Sequence, residues 1–122
     1  MSQGKIQLNI IFTAAPNLVK EGDRIFESHA KWMEESHPRD GQNALLSYSI
    51  AKGPELSNPF DPSSTPTGNT TFVVSEVYES QSGVANHWKM GAETWEDFPA
   101  MGEWGGQCKV TVLHGTPVVH SL

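Results

Sequence analysis

The most restrictive feature of this chain is a hydrophobic period that switches from two to about 3.6 and back again, twice along its length. Residues 6–12 (IQLNIIF) set Ile6, Leu8, Ile10 and Phe12 on one face and Gln7, Asn9 and Ile11 on the other, the pattern of a strand buried on one side. Pro16-Asn17 ends that strand. A helix then runs from residue 18 or 21 to residue 36. At about 100° per residue, Leu18, Ile25, Phe26, Trp32 and Met33 fall on one arc, while Glu21, Arg24, Lys31, Glu34 and Glu35 lie mainly outside it. Gly22 weakens the early turns and leaves the start open. His37-Pro38 stops the helix, because a residue before proline avoids helical angles.

The pattern then repeats. Residues 44–51 (ALLSYSIA) and 71–78 (TFVVSEVY) read as strands. Between them, residues 53–70 hold four of the eight prolines with many Ser, Thr and Gly, which reads as a long loop packed only at Phe60. Ser80 is placed to cap a second helix over residues 81–90. Gly91 and Pro99 break up residues 93–101 into a short extra turn or helix, and residues 102–106 read as a loop. Residues 109–113 (KVTVL) form the last core strand, interrupted at Gly115-Thr116-Pro117 before a short apolar tail. The order β-α-β-β-α-β predicts an α+β, ferredoxin-like fold with a four-stranded antiparallel sheet. With both helices on one face, the other sheet face is left uncovered and calls for a partner, most economically a second copy.

The 122 residues fit one domain spanning residues 1–122, since domains run roughly 100–200 residues. At 37% hydrophobic and 9% aromatic the chain is too apolar for disorder, yet no apolar run approaches the roughly 20 residues of a membrane helix. The N-terminal Met1-Ser2-Gln3-Gly4-Lys5 leads into a strand rather than a signal peptide. Eight Lys plus Arg against fourteen Asp plus Glu leave a net charge of −6, which repels phosphate backbones and argues against nucleic acid as a partner. The single cysteine, Cys108, excludes an internal disulfide and fits a reducing cytoplasm. Its reactivity would require a lowered pKa beside a base.

His29 sits within the apolar arc of the first helix, between Leu18, Trp32 and Met33. A polar ring there either finds a partner in the core or lines a cavity. His87 clusters with Val84, Trp88 and Gly91 on the second helix and poses the same alternative. Glu76 and Tyr78 share one strand face; Glu76 is able to fix a histidine tautomer by accepting its N–H, and Tyr78 to offer a hydroxyl. His114 falls at a rim or dimer position, and His37 at a solvated helix end. Trp32, Trp88, Trp95 and Trp104 serve either as core filling or as flat walls for a planar ligand. No histidine pair stands at the i, i+4 spacing of a helical metal site, and no HExxH, GxGxxG, Walker loop or GxSxG occurs, so no metal is expected.

The segment SEVYESQSGVANHWK (residues 75–89), together with HP, a glycine and LLSYSI after the first helix, resembles the antibiotic biosynthesis monooxygenase-like family. The resemblance covers most of the chain in order and length. It implies a homodimeric α/β barrel, with two four-stranded sheets face to face and a ligand cavity between each sheet and its own helices. It also implies a cofactor-independent monooxygenase acting on an aromatic or quinol-type small molecule. His87 or His29 would be the base that takes a phenolic proton, while Asn9 and Tyr78 would hydrogen-bond the developing oxyanion or peroxide. Trp32, Trp88, Met33 and Phe72 are the corresponding candidates for substrate binding. A polyketide cyclase of the same fold, or a non-catalytic small-molecule-binding dimer, are the alternatives. The chain departs from the family pattern in the long 53–70 segment and in the Trp-rich stretch from Trp95 to Trp104.

Overall fold

The alternation that opens the chain becomes β1 (Ile6–Ala14) in the computed structural model, which describes residues 3–122; Met1 and Ser2 of the N-terminal segment lie outside the described residues. Ile6, Leu8, Ile10, Phe12 and Ala14 are buried, and the residues between them are half-buried or exposed. A single 3-10 turn (Pro16–Leu18) leads into α1 (Val19–Ser36), followed by β2 (Leu45–Leu56), β3 (Pro66–Tyr78), α2 (Gln81–Thr94), α3 (Phe98–Gly105) and β4 (Lys109–Pro117). The fold is α+β. Its four strands form one open antiparallel sheet in the order β2-β3-β1-β4, which places the two central strands, β1 and β3, beneath the helices. Among the described residues no helix is long and apolar enough to cross a membrane.

The buried stripe of α1 is Gly22, Ile25, Phe26, His29, Trp32 and Met33. Gly22 does not delay the helix, which starts at Val19, and the Trp104 ring occupies the space a side chain would need there: an added Cβ would lie 2.5 Å from Trp104 Cζ2. At the other end, His37 is extended (φ −89°, ψ 132°), as the following proline demands.

Three expectations are corrected. Residues 53–70 are not a long loop. Gly53, Pro54 and Leu56 pair with Thr71, Thr70 and Pro66, so only residues 57–65 connect β2 to β3. The prolines are tolerated because β2 is an edge strand and Pro66 opens β3. Phe60, at the tip of this hairpin, is 98% exposed rather than packed. Residues 102–106 are not a loop either: α3 runs to Gly105, with Pro99 in its first turn, where a missing N–H does no harm, and Trp104 anchoring it to the core. Finally, β4 continues through Gly115, whose φ of +108° absorbs the shift in register between Gln7 and Leu8.

Candidate functional site

The helical period of α1 puts His29 and Trp32 on one face, and the period of two in β3 puts Glu76 and Tyr78 on the face below. From α2, His87 meets them, and from β2, Tyr48 stands opposite Glu76 in register. His29, His37, Glu76 and His87 are all buried. The His29 and His87 rings lie 6.0 Å apart between centroids. Two imidazoles borne on separate helices therefore converge over the sheet.

A chain of hydrogen bonds sets the protonation of one of them. Ser36 Oγ donates to the Trp32 carbonyl at 2.6 Å and so accepts from His37 Nδ1 at 2.9 Å. Burial pushes His37 down to about 4 and His87 down to about 3, so both rings are neutral near pH 7. A neutral His37 whose Nδ1 carries the proton can only accept at Nε2, from His87 Nδ1, 2.9 Å away. His87 Nε2 is left with its lone pair free. His29 is likewise pushed down to about 3 by burial, and its Nδ1 lies 2.7 Å from Tyr48 Oη.

Glu76 does not fix the tautomer of His87. Its Oε1 is 3.6 Å from His87 Nδ1, beyond hydrogen-bond length, and a neutral imidazole makes no ion pair. Instead Oε1 accepts the Tyr78 hydroxyl at 2.5 Å, while Oε2 is buried without any partner. Burial pushes the Glu76 carboxyl up to about 7, against the opposing pull of the Tyr78 hydroxyl. Tyr48 and Tyr78 are both raised by burial and stay protonated.

Above these groups is a cavity of about 20 Å³, lined by Ile10, His29, Trp32, Val74, Glu76, His87, Trp88, Gly91, Trp95, Phe98 and Met101. That is room for one water molecule. Trp32 and Trp95 stack with centroids 5.7 Å apart and planes 19° from parallel, and they separate the cavity from a groove on the outer flank of α1. Trp32 Nε1 donates to Thr94 Oγ1 at 3.0 Å. Trp95 Nε1 donates to Ser28 Oγ at 3.0 Å, and Ser28 in turn donates to Asp97, which Arg24 also holds.

Of the residues expected to act here, the structure brings together His29, His87, Trp32 and Trp88. Asn9 is on the opposite face of the sheet, where its Oδ1 accepts from Gln7 Nε2. Tyr78 lies beside the cavity with its hydroxyl committed to Glu76. Met33 is packed in the core, and Phe72 sits at the far end of the helix–sheet interface against Trp104. His37 is not a solvated cap but the buried partner of His87. Cys108 is half-buried and its thiol is pushed up by burial, the reverse of an activated nucleophile. His114 is exposed on β4.

Tyr48, His37, Phe98 and Met101 were not singled out as site residues from sequence, whereas Trp95, one of the four tryptophans read as core filling or ligand wall, lines the cavity. The one available signal was His37-Pro38, since a proline holds its predecessor extended and thereby fixes where the ring can reach. Among the described residues, His29, Glu76 and His87 also form a group able to hold a metal, offering one donor atom each within 4.8 Å of one another. Compared with protein-family models and with curated proteins, the chain matches none.

Proposed function

We propose that this chain is a monooxygenase-like enzyme of the homodimeric α/β barrel type that removes a proton from a small aromatic or quinol-type molecule held against the Trp32–Trp95 wall. The observation that carries this reading is the lone pair left on His87, a neutral imidazole lining an aromatic-walled cavity. An imidazole held down to about 3 takes the phenolic proton only as the ring gives up an electron to molecular oxygen, because the oxidised phenol is a far stronger acid; the two steps together leave a ring radical, superoxide and an imidazolium. Recombination at a ring carbon that bears hydrogen gives a peroxide, which the imidazolium protonates; loss of the C–H proton and of hydroxide, as water, leaves a new ring carbonyl, so that a phenol becomes a quinone and a quinol a hydroxyquinone.

The strand order with two helical crossovers supports the ferredoxin-like arrangement. The open sheet face, where Ile11 and Leu113 are 36% and 44% exposed among small polar residues, suits a second sheet. A lone, unpaired thiol fits work in the cytoplasm. An aromatic ligand asks for far more space than about 20 Å³, as ordinary ligand sites measure about 300–1,000 Å³. Half-buried Phe98 and Met101 form the wall best able to give way.

Oxygen uptake and formation of the hydroxynaphthoquinone from a naphthohydroquinone under air, above the protein-free rate, test the reading. His87→Ala should slow turnover about 100-fold or more, and His114→Ala should not. Equal rates would reject the base, and anaerobic turnover of a polyketide would favour the cyclase. A second reading, a non-catalytic dimer, draws on the internal bonds of His29 to Tyr48 and His87 to His37 and on the small cavity. It leaves Glu76 Oε2 without an explanation.

A further inference from the structure

We propose that His29, Glu76 and His87 bind one divalent transition-metal ion of the zinc or ferrous class. Two imidazoles and one carboxylate are the donor set that such ions take with positions left open. The three donors come from α1, β3 and α2 and stand within 4.8 Å of one another.

An independent observation points the same way. Glu76 is 0% exposed, yet Oε2 has no hydrogen-bond partner. A buried carboxylate oxygen without a protein partner is costly and calls for a water or an ion at that spot. The space beside it, about 20 Å³, is the size of one atom-like occupant and far below that of an organic ring.

Each donor is also held from behind by a second group: His87 by His37, His29 by Tyr48 and Glu76 by Tyr78. Such outer partners fix ring orientation and tautomer at metal sites. Entry is marked as well. The groove outside the Trp32–Trp95 wall carries Glu27, Glu35, Glu96 and Asp97 against Arg24 and Lys31, an acidic rim that favours a cation.

The inference shares the site of the functional reading but not its reaction. An ion at the triad would hold a phenolate oxygen directly, where the metal-free chain relies on an imidazolium.

The test is titration of chelator-stripped protein with zinc chloride by calorimetry, and with cobalt(II) by its visible absorption. One ion per chain is expected. His29→Ala, Glu76→Gln and His87→Ala should each weaken binding at least 10-fold to 100-fold, whereas the double variant His114→Ala/His120→Ala should bind as the parent does. His37→Ala should weaken it about 10-fold without changing the stoichiometry. X-ray absorption on the zinc-loaded parent chain, which needs no variant to fold, should show two imidazoles and a carboxylate oxygen at about 2.0–2.2 Å. Absence of stoichiometric binding, or binding lost with His114 and His120 instead, overturns the proposal. A stripped chain that binds the naphthohydroquinone but no zinc sinks this inference alone; zinc binding without any quinol turnover sinks only the functional reading.

Discussion

The two ends of the helix–sheet interface share α1 and β3 and are both filled with packed rings, yet only one of them is unfinished. At one end Phe12, Phe26, Phe72 and Trp104 meet with centroids 5.2 to 5.6 Å apart. Their single polar atom, Trp104 Nε1, donates to the Leu18 carbonyl at 2.8 Å. At the other end His29, Trp32, His37, His87 and Trp95 meet at 4.9 to 6.0 Å, around a carboxyl with one oxygen unpaired. One turn along α1 separates Phe26 from His29, and two pairs along β3 separate Phe72 from Glu76. Ring packing is therefore common to both ends. What differs is polar demand, met in full at the first end and left open at the second.

Acid should break the comparison most severely. His29 and His87 are held down to about 3 and His37 to about 4, all by burial, against an ordinary histidine value of about 6.5. Between these values the unfolded chain binds more protons, so the stability that neutral rings contribute is complete above pH 6.5 and lost as the pH falls toward 4 and 3. Glu76 opposes this: raised to about 7, it favours the folded chain as the pH falls from 7 to 4.5. Tyr48 and Tyr78, the other titratable groups facing the cluster, stay protonated throughout. Three imidazoles outweigh one carboxyl. Thermal melts of metal-free protein should fall steadily below pH 6.5 and approach unfolding near pH 4; a midpoint unchanged from pH 8 to 5 would refute the burial of the rings.

The next largest effect belongs to the dry end. Trp104→Ala removes a ring that touches Phe12, Phe26 and Phe72, and should cost about 3–5 kcal/mol. Because the two ends share no polar network, the folded fraction should bind zinc with parental affinity. A coupled loss of affinity would show the ends to be one unit. Gly22→Ala probes the same end more gently. Its new methyl would meet Trp104 at 2.5 Å and Phe72 at 3.1 Å, an overpacking worth about 1–3 kcal/mol that urea melts would detect.

Much of the scaffold was legible and much of the site was not. Residues 6–12 alternate with the single exception of Ile11, so the buried face of β1 follows from sequence, as do the positions of His29 and His87 among apolar neighbours. The arms of the β2–β3 hairpin were hidden by Pro54, which an edge strand makes acceptable, and by Pro66, acceptable as the first residue of β3. Helix α3 was hidden by Gly102, Gly105 and Gly106, whose cost the anchoring of Trp104 offsets. The triad had no spacing signature because its members come from three elements, and the topology rather than a local repeat brings them together. Asn9 was assigned to the correct side of its strand, but that side faces away from the helices.

The smallest effect sharpens the contrast in how the two ends hold their indoles. Trp104 is tied to a backbone carbonyl, which no side-chain change removes. Trp32 is tied to the Thr94 hydroxyl, at the exposed end of α2. Thr94→Val keeps the shape and deletes the acceptor, at about 0.5–1.5 kcal/mol, with water able to replace part of the loss. The stability change should be near the lower figure. Freed from its tether, Trp32 should leave its stack on Trp95 more often and admit small quenchers to the cavity, so acrylamide should quench indole fluorescence faster while the melting point barely moves. If quenching is unchanged, the wall is held by stacking alone, and the outer groove is not the route inward.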